Sequence, residues 1–274
     1  MVNLFMKTFV RQTMILVLLS TAAPLLAQTA APPLPPVETV LKRVTERSKQ
    51  ENDNDRAFNQ QFSYTQTKVT EYLNAGGEVK KRDEKQSVHT PAAVPATAPV
   101  AAKRPQTAVA KPVVKNAQDD APVSDTHSNV RGKAFEKKDF LLNDELLSRF
   151  QFTLAGRELV NGRSALILDF KPLNKKLPER NLKDRFINKA AGRVWVDEAD
   201  YALAKADLHL SDKVNVLGGL VGSVWGFKYG FERERTADGL WFTRNVNWHL
   251  EGREVFFRRT IDYHEQKTDL KKAA

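Results

Sequence analysis

The sequence has 274 residues, a formal net charge of +10 and 41% hydrophobic residues. It contains no cysteine, which excludes disulfides, cysteine-ligated metals and a lipid attached to a lipobox cysteine. This composition fits one ordinary folded domain with an additional segment that cannot fold by itself.

The first 27 residues have the three-part pattern of a secretory signal peptide. Lys7 and Arg11 form a positive leading region, Met14–Leu19 is a short apolar core, and small residues follow up to Ala27. Cleavage after Ala27 would remove two positive charges and leave +8; an uncleaved N-terminal anchor is the alternative. No later segment is apolar enough to span a bilayer. We therefore expect an exported protein, periplasmic or associated with the outer membrane of a Gram-negative-type bacterium.

The mature chain is predicted to begin with a Pro-rich lead-in at 28–36 and a helix at 37–49. The prolines exclude a helix in the lead-in, and Pro36 is well placed to start one. Apolar residues then recur at helical spacing, namely Val37, Val40, Leu41 and Val44.

A first hairpin completes the region 37–88. The segment Phe58–Tyr72 is rich in aromatic residues, Thr, Gln and Val, which favours a strand. Asn74–Gly77 is a turn, and Glu78–Val88 is a charged return strand. This hairpin leads directly into the next segment, which therefore interrupts a sheet.

Residues 89–132 are predicted to be a disordered insert. They are mainly Ala, Pro, Val, Lys, Thr and Gln, without an aromatic residue, and cannot bury enough surface to offset the entropy of ordering. The insert either contacts an anionic surface through its basic residues or is a solvated linker without a partner. After it, Phe140–Leu147 is predicted to be a short helix, with Asp139 or Asn143 as its cap.

The rest of the region 133–265 is predicted to be an antiparallel meander, followed by a tail at 266–274. Short turns at Asn161-Gly162, Asp238-Gly239 and Glu251-Gly252 separate long strand-like segments, and such turns join only antiparallel neighbours. The predicted fold is α+β and mainly antiparallel β. A strongly curved sheet wrapped over the predicted helices is the economical solution.

The meander has one apolar, unusually aromatic face. Apolar and polar residues alternate along its strands, which predicts one buried and one wet face. A curved sheet of this kind either fills its own interior or surrounds an apolar ligand. The candidate ligand-binding residues, on the apolar face and in one loop, are Phe152, Leu154, Leu166, Leu168, Phe170, Trp195, Leu217, Leu220, Trp225, Phe227 and Trp248.

That loop, Val214–Gly226, is rich in glycine and apolar residues and contains no charge. It lacks the Gly-Lys-Ser/Thr ending of a phosphate-binding loop. It is either a mobile apolar lip for a ligand or membrane surface, or an ordinary buried connection whose glycines permit tight packing.

The hairpin Gly192–Ala206 gives the chain a resemblance to a known family. A strand of the form G-x-V-x-V-D, a turn, and a strand with an aromatic residue and Leu resembles the bacterial lipoprotein-localisation superfamily (LolA/LolB-like), including outer-membrane lipoprotein-sorting-type domains. The resemblance covers roughly Phe58–Val88 and Phe150–Tyr263. It implies an incomplete, half-open β-barrel of about 9 to 11 antiparallel strands wrapped over one to three helices, with an apolar cavity that carries acyl chains in its well-known members. The insert departs from that pattern.

Catalytic and metal-binding patterns are weak. The histidines form no metal-binding motif, no serine has the setting of a nucleophile elbow, and Asp197, Glu198 and Asp200 are typical of a solvated turn. We expect no enzyme activity, no cofactor and no metal.

The basic residues of Pro172–Lys189 and of the later strands favour an anionic lipid headgroup or envelope polymer, or are simply a solvated face. Nucleic acid is not expected as a partner of an exported protein without a nucleic-acid-binding motif. Two hypotheses result. The protein binds or carries a lipid or lipoprotein acyl chain in its cavity, or it is a non-catalytic interaction module that docks an envelope component through its basic face or insert.

Overall fold

A computed structural model describes residues 32–91, 143–216, 219 and 222–273. The chain divides into two units, Met1–Pro33 and Leu34–Ala274, and the sheet and its helices belong to the second. The predicted signal peptide, the insert beyond residue 91, Leu217 and Leu220 lie outside the described residues.

The described residues form one antiparallel sheet of ten strands. The order along the sheet is β2-β1-β10-β9-β8-β6-β5-β4-β3, and the short β7 pairs with β8. The sheet is not closed, because β2 and β3 form its two edges, which confirms the predicted incomplete antiparallel barrel. The strands are β1 Phe62–Leu73, β2 Val79–His89, β3 Phe150–Val160, β4 Arg163–Pro172, β5 Ala190–Asp197, β6 Leu203–Leu210, β7 Val214–Val216, β8 Gly222–Arg235, β9 Trp241–Glu254 and β10 Phe257–Lys272.

Four helices accompany the sheet in the described ranges, one more than the upper limit expected. They are α1 Val37–Ser48, α2 Glu51–Gln61, α3 Asp144–Leu147 and α4 Leu182–Ile187. The sequence pattern predicted α1 and located α3, whose cap is the Asn143 Oδ1 that accepts a hydrogen bond from the Leu146 N–H at 2.8 Å. It missed α2, in which Phe58 is the only large apolar residue, so helical periodicity gives no signal there.

The last hairpin differs from the prediction. Glu251-Gly252 is not a turn: β9 continues through it, and the chain reverses at Val255-Phe256. Gly252 serves a close approach instead, because a Cβ there would lie 2.7 Å from the Ser223 backbone oxygen. Residues 266–272, expected to be a tail, extend β10 along β1.

One part of the core lies between α1 and the paired strands β4 and β5. Val40 and Val44 of α1 contact Leu166, Leu168 and Val196, and all five are buried. Each such side chain stabilises the fold by about 1.5–3 kcal/mol when fully buried. We call the sheet face that packs against α1 and α2 the inner face.

A second part of the core lies under α2. Phe58 stacks on Phe242 with ring centroids 4.9 Å apart, and on Phe62 and Tyr64 at 5.3 and 5.6 Å. We call this cluster the packed end of the inner face. Polar contacts attach α2 beside it.

Two of these contacts are buried. The Asn54 side chain donates to the Trp241 carbonyl oxygen at 2.7 Å and accepts from its N–H at 2.9 Å. Arg233 Nη2 donates to Glu51 Oε2 at 2.7 Å, and both side chains are buried. The helix is therefore fixed to the sheet by directional bonds as well as by Phe58.

Candidate functional site

An apolar cavity lies at the other end of the inner face, which we call the open end. Its volume is about 140 Å³, and it is partly open to solvent. The walls come from α1, α3, α4 and strands β3 to β6 and β8. They are lined by Leu41, Val44, Leu146, Phe150, Phe152, Leu168, Phe170, Phe186, Ile187, Ala190, Val194, Val196, Leu203, Ala206, Leu208, His209, Leu210, Phe227, Tyr229 and Phe231.

Strand alternation brings the aromatic residues of this site together. Phe152 is the register partner of Phe170, and Phe150 meets the Phe170 ring edge to face at 5.2 Å. Phe227, on β8, meets Phe186 of α4 at 6.3 Å, also edge to face. The rings thus form two groups, one on each side of the cavity, and do not fill the space between them.

A network of charges holds α3 and α4 at the cavity rim. The buried Arg149 binds Asp184 at 2.9 Å and Glu145 at 2.9 Å, and Arg180 binds both carboxylates as well. Burial raises the pKa of Asp184, but hydrogen bonds from Arg180 and Arg149 outweigh it and lower that pKa below its ordinary value. Two helices too short to be stable alone are therefore held by ion pairs.

The phenol of Tyr229 is the most deeply placed polar group of the wall. Burial, together with the nearby charge of Glu265, raises the pKa of Tyr229 to about 12. The Tyr263 hydroxyl donates a hydrogen bond to Glu265 at 2.6 Å. The pKa of Tyr263 is also raised, mainly by burial and secondly by this hydrogen bond. The raised pKa keeps the Tyr229 phenol neutral, so this side chain brings no charge of its own to the wall.

The structure separates the residues that were predicted to bind a ligand. Phe152, Leu168, Phe170 and Phe227 line the cavity. Leu166 is in the core beneath α1, with Leu154 packed against it.

The remaining predicted residues lie elsewhere. Trp195 is on the opposite face, where its Nε1–H donates to Glu158 at 2.8 Å. Trp225 is exposed, and Trp248 stacks on Tyr263 at 5.2 Å. Leu217 and Leu220 are not among the described residues.

Sequence reasoning missed the rim and part of the floor. Tyr229 and Phe231 follow Phe227 at every second position of β8, so the same alternation would have included them. Phe186 and Ile187 belong to α4, within the segment Pro172–Lys189, in which basic residues were noted but no helix was predicted. The signal there was Asn181, whose side chain caps α4 by accepting from the Asp184 N–H at 2.9 Å.

The acidic residues of the β5–β6 turn are bound to arginines. The Asp197 carboxylate accepts hydrogen bonds from Arg163 Nε at 2.6 Å and from Arg163 Nη2 at 2.9 Å. It also caps the turn, because it accepts hydrogen bonds from two backbone N–H groups. Glu198 binds Arg157 at 2.7 Å. Burial raises the pKa of Asp197, but the hydrogen bonds from Arg163 and from the Asp200 backbone, together with the Arg163 charge, outweigh burial and lower that pKa. The arrangement stabilises a turn.

A second groove, of about 630 Å³, crosses β6, β8, β9 and β10 and is lined by charged and polar side chains together with the rings of Tyr229, Trp248 and Tyr263. His249 there contacts Asp262 at 2.5 Å and Glu251 at 3.1 Å. Among the residues the structure describes, no three His, Asp or Glu side chains are arranged to hold a metal ion. No helix in that part of the chain is long and apolar enough to cross a bilayer.

No protein-family model matches the chain, and no curated protein matches it. Several solved structures are similar to the chain. The chain is similar to an outer membrane lipoprotein-sorting protein domain from Vibrio parahaemolyticus, with 12% identity and a TM-score of 0.32, covering 85% of this chain and 94% of that one. It is similar to a LolA superfamily protein from Nitrosomonas europaea, with 9% identity and a TM-score of 0.33, over 88% and 95% of the two chains.

A third similar structure is that of MucB in complex with MucA(peri), with 9% identity and a TM-score of 0.24, over 87% of this chain and 100% of that one. Any functional argument has to rest on the cavity itself.

Proposed function

We propose that this protein is an exported, non-enzymatic envelope protein that binds an apolar ligand, a lipid or lipoprotein acyl chain, at the open end of its inner face. The observation that supports this proposal is the cavity between α1 and the sheet, whose walls are almost entirely aliphatic and aromatic. A rigid core of this size would be expected to close such a space, because empty volume beside apolar side chains costs stability.

The chemistry of the walls selects the class of ligand. A charged group inside would lose its hydration without a compensating partner, because Tyr229 is neutral and His209 is the other polar side chain of the lining. An apolar chain loses nothing on entry. A polar headgroup would stay at the rim, where Arg185 lies in α4 and Lys189 follows that helix.

The size of the cavity limits what fits without a structural change. An apolar cavity of about 150 Å³ accommodates a molecule such as benzene, so this one holds a short part of an acyl chain. A longer chain requires α1 to move outward, and the buried anchors of α1 are only Val40 and Val44. We therefore expect binding to be coupled to a displacement of α1.

A matched pair of alanines tests the proposal. Ala190 lines the cavity, and Ala191, the next residue of β5, points to the other face. Ala190→Phe should fill the space and weaken binding of a fluorescent acyl probe by roughly tenfold, the effect of about 1.4 kcal/mol, while Ala191→Phe should bind it like the wild type.

The same experiment includes the native ligand. Lipid extracted from protein purified from its own envelope, then identified by mass spectrometry, should be present with Ala191→Phe and depleted with Ala190→Phe. Equal probe affinity for both variants, or an extract free of lipid from the wild type, would contradict the proposal.

The second candidate is a non-catalytic interaction module of the envelope that docks a partner through its basic face or insert. The small cavity favours it, since ligand pockets usually measure about 300–1,000 Å³. Crosslinking in cells would then capture a partner with the wild type and with Ala190→Phe alike, and deletion of residues 92–132 would weaken that capture.

A further inference from the structure

The turn between β9 and β10 exposes three consecutive large apolar side chains. Val255 is 43% exposed, Phe256 87% and Phe257 71%. Trp225, on the neighbouring strand β8, is 42% exposed. We call the three residues Val255–Phe257 the apolar tip. A contiguous exposed apolar patch of this kind marks an interaction surface more often than a single exposed side chain does.

The tip is also an unusual turn. A two-residue hairpin turn needs positive φ, which Asn-Gly provides with little strain, and the β3–β4 turn follows this rule with Asn161 at φ 50° and Gly162 at φ 76°. At the β9–β10 turn, Val255 has φ 52° although it is β-branched. Such a residue is strained in this region. Folding alone does not explain two large apolar residues at this position.

Arginines surround the base of the apolar tip. Arg253 and Arg258 are register partners directly across the β9–β10 ladder, and Arg259 follows. Like charges placed opposite each other destabilise a hairpin unless an anion lies between them. Glu251 and Glu254 bind Arg258 and Arg259 at 3.3 and 3.2 Å, so the group keeps one excess positive charge.

We infer that the apolar tip docks on an anionic lipid bilayer. Val255, Phe256 and Phe257 would enter the apolar layer, while the arginines and the indole of Trp225 lie at the level of the headgroups. Trp is enriched at this level of membrane proteins, and basic side chains are attracted to anionic headgroups there. Arg258 already lies over the Trp225 ring, 5.8 Å from its centroid, so the two groups form one surface.

The tip also stands at the open end. Leu250 is the register partner of Phe227, which lines the cavity, and the tip begins five residues beyond Leu250. At about 3.3 Å per residue, the tip extends roughly 16 Å past that level. Docking would bring the cavity rim towards the membrane, but it does not depend on what the cavity binds.

Vesicle flotation tests the inference on the full-length mature chain. The protein should float with vesicles of equal parts phosphatidylglycerol and phosphatidylcholine, and much less with pure phosphatidylcholine. The double variant Phe256→Ser/Phe257→Ser should bind the anionic vesicles roughly tenfold more weakly, because binding scales with the apolar area buried. Leu159→Ser is the matched control: Leu159 is 72% exposed at the opposite end of the sheet, and this variant should float like the wild type.

Two more measurements separate membrane docking from self-association. Arg253→Gln/Arg258→Gln should weaken binding to anionic vesicles only. Unchanged flotation of the Phe256→Ser/Phe257→Ser variant would overturn the inference. A wild-type protein that floats with neither type of vesicle would overturn it as well. A wild-type dimer in light scattering that the double variant loses, without vesicle binding, would overturn it too and assign the tip to self-association. Probe binding by the double variant should stay normal, which keeps this test separate from that of the cavity.

Discussion

The two ends of the inner face contain the same kinds of side chain and use them in opposite ways. At the packed end, Phe58 of α2 lies against three aromatic rings of the sheet at centroid distances of 4.9 to 5.6 Å. At the open end, the rings of Phe152 and Phe170 face those of Phe186 and Phe227 across a cavity of about 140 Å³.

The difference lies in the helices. The packed end is covered by α2, eleven residues long and fixed through Asn54 and Glu51 to the sheet. The open end has at its rim α3 and α4, of four and six residues, which depend on ion pairs around Asp184. One sheet thus combines a half in which the rings are closely packed with a half that keeps a cavity.

Breaking the attachment of the packed end should have the largest effect. Arg233→Ala leaves the Glu51 carboxylate buried without its main partner, and it removes a cation–π contact with Trp241 at 5.8 Å. Removing one member of a buried pair costs about 3–5 kcal/mol. Urea denaturation should show this loss in the free energy of unfolding.

An exposed pair provides the control for this variant. Arg244 binds Glu234 at 2.7 Å, but the Arg244 side chain is largely exposed, so Arg244→Ala should cost at most about 1 kcal/mol. Equal losses for the two variants would show that α2 is not held by the buried pair.

Removing one aromatic ring at each end measures how much the packing at that end contributes to the free energy of unfolding. Phe58→Ala removes a buried ring from a stack and should cost about 3–5 kcal/mol. Phe170→Ala should cost about 2 kcal/mol less, because the Phe170 ring already borders empty space and loses fewer contacts. Urea denaturation of both variants tests this difference. Similar losses in the free energy of unfolding would mean that the open end is as tightly packed as the packed end.

The inner face could be predicted from the sequence because period-two alternation is a local property. Phe152, Leu168, Phe170 and Phe227 were placed correctly on one face, and the Asn161-Gly162 turn was identified from its residues. The antiparallel pairing of successive strands followed from the short turns between them. In each case the information lies within about ten residues.

What the sequence could not show depends on distant contacts. The attachment of α2 joins Glu51 to Arg233 and Asn54 to Trp241, which are 182 and 187 residues apart. Gly252 was interpreted as part of a turn, but it is required by the close approach of the Ser223 backbone on the neighbouring strand. Neither relation has a local pattern, so the position of the last turn was predicted wrongly and the cover of the packed end was missed.

Lowering the pH should loosen the rim of the open end. The pKa of Asp184 is lowered in the folded state, so its contribution to stability is present above its unfolded pKa, near 4, and is lost as the pH falls through the folded pKa. Thermal melting from pH 7 down to pH 3 should show this loss. Asp184→Asn should lower the melting temperature at pH 7 by roughly 2–4 °C and remove part of its pH dependence; an unchanged pH profile would contradict the role of this network.

The smallest effect should come from the turns, which also differ between the two ends. Val255→Gly relieves a β-branched residue held at φ 52°, so it should raise the free energy of unfolding by about 1 kcal/mol or less, although glycine also gains entropy in the unfolded chain. Val160→Gly, in the hairpin at the opposite end, should destabilise the protein by about 1 kcal/mol or more, since Val160 packs against the cluster of Trp241.

Vesicle binding should separate these two glycine variants again. Val255→Gly removes one apolar side chain from the tip and should bind anionic vesicles more weakly than the wild type despite its higher stability, while Val160→Gly should bind them normally. If Val255 contributes to membrane docking rather than to stability, the Val255→Gly variant should be more stable than the wild type and should bind vesicles less tightly. A Val255→Gly variant that is less stable than the wild type would show that the turn is unstrained.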